Sequence, residues 1–548
     1  MSKIKIFSLG GLNEIGKNMY VVDVDNDIFI FDAGLKYPDD RLFGVDYIIP
    51  NYDYIKENKD RVKGIFVTHG HDQQMGAIPD ILRDIPELKV YGTTFTLEII
   101  KQELIDEKIS TDNLVTIQAH KKINFGKNSI FPIGLTHSVP DAVGYVLYTE
   151  DGAIFYTGNF VFDPTMIGNY KTDIGKLAYV GKQGVLCLLS ESLYADKKGF
   201  TSPNHRTASI IRETLNRNDG RILYSIFQAQ LFRIQELFTE LSNTNRRVVI
   251  LGKRLESTIL KAIEMKYINF DRNKIGTIRD VNSKDVVVII SDEREKPFSN
   301  ITRIINGYDK FTKIHDDDTV IFASPVYDGM ELSATKIFDK IAQIGANLVI
   351  IPTKKYLGNH ASSEDLMLMI NLMNPKYYFP VIGEYRHQVA NANAAKKLGM
   401  KESNILLKLN GQVATFVNGK LVENGEKVKV DDILIDGKTV GDVGELVIKD
   451  RELLCDNGIV IVSASLDKKT KEVLAGPEIL TRGFIYVKDN VDLIKEAEKI
   501  SLEVIKENIK ENYVEFNKIK SGIRDKLGKY LYQQTECNPM ILIVMQEV

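Results

Sequence analysis

The sequence predicts an α/β protein built from several domains. Short apolar runs that end in polar or glycine-rich turns occur throughout the first 190 residues, and such runs are typical of buried strands. From residue 203 to residue 346, strands alternate with helical segments, which indicates a parallel sheet covered by helices. The last hundred residues predict a strand–strand–helix–helix–strand order. The length of 548 residues suggests about three to four domains.

Composition restricts where the protein works and what it binds. The net charge is −3, so nucleic-acid binding would depend on a local basic surface. No uninterrupted apolar run reaches the ~20 residues that a bilayer requires, and residues 1–5 lead into a strand without a signal peptide. The three cysteines form no close pair and indicate reduced thiols: Cys187, Cys455 and Cys537. We therefore expect a cytoplasmic protein with no membrane partner.

The first strands are joined by glycine turns. Residues 10–16 form a glycine-rich turn, but no helix-opening phosphate motif follows it, so a nucleotide-binding loop is not expected. The strand at residues 27–32 ends on Asp32. Two interpretations of Asp32 remain: it orients a metal-binding histidine, or it is a turn residue at a strand end.

The most informative stretch is Thr68-His69-Gly70-His71, which follows a predicted buried strand and precedes a predicted helix at residues 75–85. An isolated His-x-His is a weak signal, because two polar loop residues explain it equally well. Two later predicted strands, however, lead to His137 and Asn159. Polar residues placed repeatedly at strand ends are how a site is built on a rigid sheet. These strand ends are therefore predicted to meet in one site.

The remaining elements complete the predicted organisation. Ser324 lies at the end of a strand, the strand at residues 347–351 returns to the first domain, and Ser362 or Ser363 caps the next helix. Strands and a turn at residues 430–448 form a link. The final region is predicted to contain strands at 458–466 and 483–487, helices at 491–508 and 513–531, and a closing strand at 540–545.

Taken together, these segments resemble the ribonuclease J family, which belongs to the metallo-β-lactamase superfamily and carries an inserted β-CASP domain. The resemblance runs from about residue 4 to the C-terminus, and the matching segments are residues 10–17, 31–34, 44–50, 68–71, 136–141 and 383–386. It implies an αββα sandwich with an inserted α/β domain and a small α+β C-terminal domain. The implied parts are residues 1–202 and 347–428 for the metallo-β-lactamase domain, 203–346 for the β-CASP domain, 429–449 for a linker and 450–548 for a C-terminal dimerisation domain.

The resemblance also implies a set of metal ligands, of which only part is present. His69, His71 and His137 match the first-metal histidines of the family. The other ligands of the family are replaced. Gln73 and Gln74 stand where the family has an aspartate and a histidine after His-x-His. Asn159 stands in place of the bridging aspartate, and Ile382 in place of the histidine before Gly-Glu-Tyr-Arg. The acidic Asp72 lies one position too early and is expected to point elsewhere.

These replacements remove the chemistry of the second metal. Glutamine offers one neutral oxygen, the amide NH2 of asparagine is a donor that would face a cation, and isoleucine offers no ligand atom. Three histidines can still hold one zinc or manganese ion in an open tetrahedral site. We expect at most one such ion, weakly held, and no two-metal hydrolysis.

Further contacts follow from the resemblance alone. Ser324 and the loop Tyr356, Leu357, Gly358, Asn359 and His360 are expected to contact RNA phosphate, although of the family's H-x-S-G-H pattern only the last histidine, His360, remains. Glu191 matches an acidic position of the family. A structural calcium is implied at Asp436 with the carbonyls of residues 43 and 45, and the alternative is an ordinary surface aspartate in a turn. Four scattered basic residues either line an RNA groove or are simply solvated surface: Arg233, Lys253, Arg254 and Arg386.

The sequence therefore favours a weak or inactive ribonuclease J-type protein of RNA maturation and decay. It would bind RNA and act as a partner subunit of an active ribonuclease J, as a homodimer, a hetero-oligomer or both. The alternative is an active metal-dependent 5′-to-3′ exoribonuclease or endoribonuclease. Hydrolysis of a small molecule is a third class that the fold would permit. The large insertion and the Gly-Glu-Tyr-Arg segment argue against it.

Overall fold

The computed structural model forms two compact units, Met1–Tyr37 with Tyr47–Ile433, and Pro38–Asp46 with Leu434–Val548. The structure describes residues 2–38, 42–201, 205–227, 230–292, 298–324, 326, 330–352, 355, 360–422, 424–437, 439–440, 445–485, 490–510 and 513–548. None of the helices in these ranges combines the length and the apolar character needed to cross a membrane.

The strands, numbered in chain order, are β1 Lys3–Gly10, β2 Met19–Val24, β3 Asp27–Phe31, β4 Tyr47–Pro50, β5 Val62–Phe66, β6 Val90–Gly92, β7 Leu114–Thr116, β8 Ile123–Phe125, β9 Asn128–Gly134, β10 Val143–Thr149, β11 Gly152–Tyr156, β12 Val185–Glu191, β13 Ile222–Phe227, β14 Arg247–Leu251, β15 Val286–Asp292, β16 Thr319–Phe322, β17 Asn347–Ile350, β18 Tyr377–Val381, β19 Ala414–Val417, β20 Lys420–Val422, β21 Asp432–Asp436, β22 Thr439–Val440, β23 Ile459–Leu466, β24 Val473–Arg482, β25 Ile509–Lys510, β26 Tyr513–Val514 and β27 Met540–Glu547.

The α-helices are α1 Asp53–Glu57, α2 Asp72–Met75, α3 Ile78–Asp84, α4 Thr94–Asp106, α5 Ile174–Gln183, α6 Ala208–Arg217, α7 Leu231–Ser242, α8 Lys253–Glu264, α9 Ser299–Ile305, α10 Glu331–Ile344, α11 Ser363–Met373, α12 Tyr385–Lys397, α13 Glu445–Asn457, α14 Val491–Glu507 and α15 Phe516–Thr535. Short 3-10 turns occupy Lys59–Arg61, Gly168–Tyr170, Arg272–Lys274, Ile278–Asp280 and Glu402–Asn404.

Two sheets pack face to face at the centre of the first unit. The first has eight strands in the order β20-β19-β1-β2-β3-β5-β6-β7, and the second has six in the order β18-β12-β11-β10-β9-β8. Aromatic side chains from both sheets interlock between them; the rings of Phe31 and Tyr145, for example, stack with centroids 6.0 Å apart. Burial of this shared apolar face is the main force that holds the two sheets together.

Helices cover the outer faces of the two sheets. Phe7 on β1 packs edge-to-face against Tyr54 on α1, with ring centroids 5.0 Å apart. On the second sheet, α5 and α11 bury Leu177 and Met369 against β10, β12 and β18. The predicted αββα layering is confirmed. The helix predicted at residues 75–85 is α3, which begins later, at Ile78 beside Pro79. A separate short helix, α2, precedes it and ends before Gly76.

The inserted segment forms a third, entirely parallel sheet in the order β14-β15-β13-β16-β17. Helices bury apolar clusters on both of its faces, as the alternation of strands and helices predicts. One element differs from expectation. The strand expected to return to the first domain at residues 347–351 is β17, and it pairs in parallel with β16, so it belongs to the inserted sheet.

The second unit contains a three-stranded sheet in the order β24-β23-β27, with α14 and α15 packed on one face. The helix α13 was not predicted, because its apolar residues are divided between faces: Leu446 is 72% exposed, whereas Ile448 is buried. The strand predicted at residues 483–487 is also wrong where the structure describes it, at residues 483–485. The strand lies earlier, as β24. Its Pro477 argued against a strand in the sequence, but β24 is at the edge of the sheet, where proline is tolerated.

Candidate functional site

The candidate site lies where several strands of the central sandwich end. Strands β3 and β5 run parallel, as do β11, β12 and β18, so their carboxyl ends meet at one edge. The residues delivered to this edge are Asp32 after β3, His69 and His71 after β5, His137 after β9, Asn159 after β11, Glu191 at the end of β12 and Ile382 after β18. The structure therefore brings together the side chains that the sequence places at strand ends.

The three histidines converge closely. Nε2 of His69 lies 3.1 Å from Nδ1 of His71, and Nε2 of His137 lies 3.2 Å from the same Nδ1. One nitrogen of each ring lies within 4.8 Å of the others. Metal–nitrogen bonds of about 2.0–2.1 Å at tetrahedral angles would place two ligand nitrogens about 3.3 Å apart. The triad therefore has the spacing that one tetrahedral ion requires.

A hydrogen-bonded chain sets the orientation of His69. The buried carboxylate of Asp32 accepts from the backbone N–H of Thr68 at 2.7 Å and from the Tyr156 hydroxyl at 2.7 Å. The Thr68 hydroxyl lies 3.0 Å from both Asp32 oxygens and 2.9 Å from Nδ1 of His69. If Thr68 donates to Asp32, it accepts from Nδ1–H of His69, which leaves Nε2 as the lone-pair donor facing the other histidines.

Burial determines the protonation of this chain. It lowers the pKa of His69 well below the ordinary value, and the neighbouring His71 and His360 act in the same direction. The His69 ring is therefore neutral, which is the form that binds a metal. Burial also raises the pKa of Asp32 to about 7, although the hydrogen bonds from Thr68 and Tyr156 oppose this rise.

The positions of the expected second metal are filled by neutral side chains. Gln74 is fully buried, and neither its Oε1 nor its Nε2 has a hydrogen-bond partner among the residues that the structure describes. In the same ranges Oδ1 of the buried Asn159 is also without a partner. Gln73 is half-buried beside them, and its carbonyl accepts from the backbone N–H of Asn18 at 3.2 Å. No carboxylate stands at any of these positions.

Ile382 has an unusual backbone conformation. Its φ is +57°, a left-handed value that a β-branched residue rarely adopts. The loop is held by hydrogen bonds from the Ile382 N–H to the Tyr20 hydroxyl and from the Ser192 N–H to the Ile382 carbonyl, each 3.0 Å long. Strained conformations of this kind concentrate at functional sites. The loop thus keeps a shape for which isoleucine is poorly suited.

A second buried group lies beside the triad. Nδ1 of His360 is 2.8 Å from Oε2 of Glu191, while Oε1 of Glu191 accepts from the N–H groups of Phe160 and Ala361. Burial raises the pKa of Glu191, and the His360 partner opposes this rise. The His360 ring lies 6.1 Å from that of His137. His360 is therefore positioned at the edge of the histidine triad by a buried carboxylate.

The other residues predicted to contact RNA are not seen at the histidine triad in the part of the chain that the structure describes. Tyr356, Leu357, Gly358 and Asn359 lie outside the described residues. Ser324 is fully buried, with its hydroxyl 3.1 Å from that of Ser225. The capping role predicted for Ser362 is confirmed, because it forms a capping box with Asp365 at the start of α11.

Two of the basic residues proposed for an RNA groove are engaged within the protein. Arg233 is buried, pairs with Glu236 at 2.6 Å and donates to the carbonyl of Lys355. Arg254 reaches Asp72 at 3.2 Å and also pairs with Glu103. Arg386 remains 58% exposed in its side chain, although it pairs with Glu384 at 2.7 Å. The Asp72 carboxylate accepts from Nη2 of Arg254 at 3.2 Å and from the Tyr37 hydroxyl at 2.6 Å.

Sequence reasoning missed one feature of the site and one buried contact elsewhere in the first unit. The bridging role of Thr68 depends on where its hydroxyl points, which no spacing reveals. The buried contact brings Nε2 of His205 within 3.2 Å of Oδ2 of Asp163, without hydrogen-bond geometry. Burial lowers the pKa of His205 to about 4, with Arg233 acting in the same direction. The only sequence signal was the polar character of the two residues, which is common in loops.

The residues at Asp436 do not fit the predicted calcium. Its Oδ2 accepts from Nη2 of Arg451 at 2.6 Å, and the carbonyl of Phe43 accepts from Nη1 of the same guanidinium at 2.9 Å. A protein cation thus contacts the carboxylate and one of the carbonyls expected to hold the ion. The histidine triad, in contrast, fits one transition-metal ion, which would act there as a Lewis acid.

Family comparisons cover most of the chain. The Metallo-beta-lactamase superfamily matches residues 12–175, and the Ribonuclease J beta-CASP domain matches residues 219–341. The Zn-dependent metallo-hydrolase RNA specificity domain matches residues 357–406, and the Ribonuclease J C-terminal domain matches residues 446–548.

Individual relatives agree with these matches. Ribonuclease J2 of Bacillus subtilis (strain 168) is 38% identical over 550 residues, covering 100% of this chain and 99% of that protein. Ribonuclease J 2 of Staphylococcus aureus (strain NCTC 8325 / PS 47) is 36% identical over 554 residues, covering 100% and 98%. A crystal structure of a protein of unknown function from Enterococcus faecalis V583 shares the fold at 13% identity, with a TM-score of 0.50 over 76% of this chain and 100% of that one. The chain belongs to the ribonuclease J family.

Proposed function

We propose that this protein is an RNA-binding ribonuclease J-type subunit of RNA maturation and decay whose own nuclease activity is absent or weak, and that it partners an active ribonuclease J. One observation carries the proposal: the second-metal positions hold Gln73, Gln74, Asn159 and Ile382, with no anionic ligand. A pair of cations beside a phosphate needs carboxylates to offset its charge, and amides do not supply that charge.

The expected loss of rate is large. A metal that polarises a phosphoryl oxygen contributes several kcal/mol to transition-state stabilisation, and each 1.36 kcal/mol corresponds to a tenfold change in rate. A single ion on the histidine triad would therefore leave catalysis weaker by at least about 10²-fold. His69 and His137 are both fully buried, so an ion held by them would be reached mainly through the side of the half-buried His71.

The proposal of RNA binding is supported by the RNA specificity domain match and by the position of His360. The RNA specificity domain matched at residues 357–406 includes α11, α12 and the described His360. The buried Glu191 holds that imidazole at the site's edge. We propose that Tyr356, Leu357, Gly358, Asn359 and His360 contribute to binding RNA phosphate. Ser324, which the sequence also suggested, is fully buried beside Ser225 and does not fit that role. Contacts to phosphate would make the affinity fall steeply with added salt.

The partner role is supported by the C-terminal sheet. Leu480, Leu542 and Val544 are each about half exposed, and all three lie on the face opposite α14 and α15. Contiguous exposed apolar side chains of this kind mark protein contacts. We propose that this domain, residues 450–548, contributes to a homodimer, a hetero-oligomer with an active ribonuclease J, or both. The predicted domain boundaries are also part of the proposal, except that the inserted domain extends through β17, because that strand pairs with β16.

The test combines metal analysis with an exonuclease assay. We expect purified protein to carry at most one zinc or manganese ion per chain and to degrade 5′-monophosphorylated RNA at a small fraction of the rate of an intact ribonuclease J assayed beside it. Tagged protein recovered from native extract should bring an intact ribonuclease J chain with it. Two tightly bound ions together with turnover at ordinary enzyme rates would contradict the proposal.

The second candidate function is an active single-metal ribonuclease. It is favoured by the histidine triad, whose spacing and oriented His69 are retained. In this case residual cleavage should depend on manganese or zinc and disappear in His69→Ala and in His137→Ala. Cleavage that persists unchanged in both variants would point to a contaminating nuclease.

A further inference from the structure

In the second unit, the loop at residues 42–46 is hydrogen-bonded to the end of β21. The backbone N–H of Asp46 donates to the carbonyl of Ile435 at 2.8 Å, and the N–H of Gly437 donates to Oδ2 of Asp46 at 2.7 Å. The loop thus joins residues 42–46 to residues 434–437, although the two segments lie far apart in sequence. These contacts depend on the backbone of the loop keeping one conformation.

Arg451 on α13 bridges the two segments. Its Nη1 donates to the carbonyl of Phe43 at 2.9 Å, and its Nη2 donates to Oδ2 of Asp436 at 2.6 Å. The loop backbone closely approaches this guanidinium. Gly44 has a φ of +78°, and a Cβ added there would lie 2.6 Å from Nη1 of Arg451. The left-handed backbone angle therefore favours glycine at residue 44, and a side chain there would force the Arg451 guanidinium to shift.

We propose that the Arg451 guanidinium takes the place of a bound divalent ion: it neutralises Asp436 and holds the Phe43 carbonyl beside it. A backbone carbonyl and a carboxylate are the oxygen ligands that Ca²⁺ prefers. A guanidinium can satisfy the same two oxygens with two N–H donors and one permanent positive charge. Because this charge belongs to the chain, the contact between residues 42–46 and residues 434–437, called the joint below, forms without bound calcium.

The proposal makes a paired prediction about calcium. In the wild-type protein, neither Ca²⁺ nor a chelator should affect the joint, because Arg451 already neutralises Asp436. In Arg451→Ala, the Phe43 carbonyl and the Asp436 carboxylate lose their cation and become a site for a hard divalent ion completed by water. This inference does not depend on the RNA-binding function, since it concerns the stability of one joint in the second unit.

Hydrogen–deuterium exchange of full-length protein, followed in peptides covering residues 42–51, tests this. We expect wild-type exchange to be the same in EDTA and in millimolar Ca²⁺. In Arg451→Ala with EDTA, exchange should accelerate about tenfold or more, as expected when hydrogen bonds from a charged donor are lost. Added Ca²⁺ should slow it again in Arg451→Ala, but not in Arg451→Ala combined with Asp436→Asn.

A matched control removes a different arginine of the same unit. Arg524 on α15 is exposed, and Arg524→Ala should exchange like the wild type in this peptide, with or without Ca²⁺. The proposal is overturned if Ca²⁺ or EDTA changes wild-type exchange, if Arg451→Ala exchanges at the wild-type rate, or if Ca²⁺ fails to slow exchange in Arg451→Ala.

Discussion

The candidate site has two halves, which differ in how well their side chains suit the backbone that carries them. The histidine half consists of His69, His71 and His137, and the altered half consists of Gln73, Gln74, Asn159 and Ile382. In the histidine half, the His69 ring is neutral and is oriented by Thr68 and Asp32, and the ring nitrogens have the spacing of metal ligands. In the other half, the Gln74 amide is buried without a described partner and Ile382 sits at a left-handed φ. Both halves lie at the same edge of the central sandwich, so the scaffold is shared and only the ligand chemistry differs.

This difference indicates which part of a metal site is most easily lost. Backbone geometry is fixed by sheets, cores and hydrogen bonds distributed over many residues, such as the contacts of Ile382 with Tyr20 and Ser192. A ligand, in contrast, is a single side chain. Exchanging it changes the charge of the site without disturbing the sheet. An intact fold around the site is therefore weak support for intact catalysis.

The largest expected effect comes from rebuilding the altered half. Combining Gln73→Asp, Gln74→His, Asn159→Asp and Ile382→His should raise bound manganese from at most one to two ions per chain. The rate on 5′-monophosphorylated RNA should rise about 10²-fold or more, because each metal contributes several kcal/mol. Histidine also tolerates the left-handed conformation of residue 382 better than isoleucine does. Metal analysis and single-turnover kinetics measure the two quantities.

The same combination with His69→Ala added is the matched control, and it should lose the gained activity. If the rebuilt protein folds yet binds no second ion, the two halves do not share an intact scaffold, and the comparison above is wrong.

The next largest effect is loss of the ion from the histidine half. His69→Ala removes a ligand whose nitrogen lies 3.1 Å from that of His71, so bound zinc should fall from about one ion per chain to none after dialysis. His120→Ala, which alters an exposed histidine elsewhere, should leave the zinc content unchanged. Equal zinc in both variants would show that the ion binds outside the triad.

A smaller effect tests the support beneath His69. Thr68→Val keeps the shape of the side chain but removes the hydroxyl that links Asp32 to Nδ1 of His69. Zinc affinity should fall about 10- to 100-fold, as is usual when a partner that orients a ligand is lost. Thr157→Val, a buried threonine nearby whose hydroxyl donates to the Gly158 carbonyl, should not change it. Titration against a competing chelator gives both affinities.

Much of the fold could be predicted because hydrophobic patterning reports burial directly. The parallel sheet of the inserted segment is buried on both faces, so its strands are apolar runs such as residues 286–291. The patterns failed where burial is partial. The β24 strand has one exposed face and contains Pro477, and α13 exposes Leu446 and Leu454, so neither shows a clear periodicity.

The candidate site was partly predictable for a similar reason. Residue types at strand ends indicated His69, His71 and His137. The resemblance to the ribonuclease J family then identified the positions where an anionic or imidazole ligand is replaced: Gln73, Gln74, Asn159 and Ile382. The Thr68 hydroxyl, the left-handed φ of Ile382 and the bridge from Arg451 to Asp436 depend on rotamers and on contacts between distant segments. No local pattern encodes such contacts, which is why the sequence left a structural calcium and an ordinary surface aspartate both open at Asp436 and did not indicate the arginine that contacts it.

The smallest effect concerns the stability of the altered half. Gln74 is fully buried, and its amide oxygen and nitrogen have no partner within the described ranges, so the folded state carries the desolvation cost of both. Gln74→Met keeps the length of the side chain without polar atoms and should raise the free energy of unfolding by about 1–3 kcal/mol. Urea denaturation measures this change, and Gln73→Met, at a half-buried neighbour, is the control with an expected change within about 0.5 kcal/mol. A Gln74→Met variant that is less stable than the wild type would mean that the amide is satisfied by a bound ion or water. In that case the second half of the site still holds a ligand, and the contrast between the two halves is smaller than the residue types indicate.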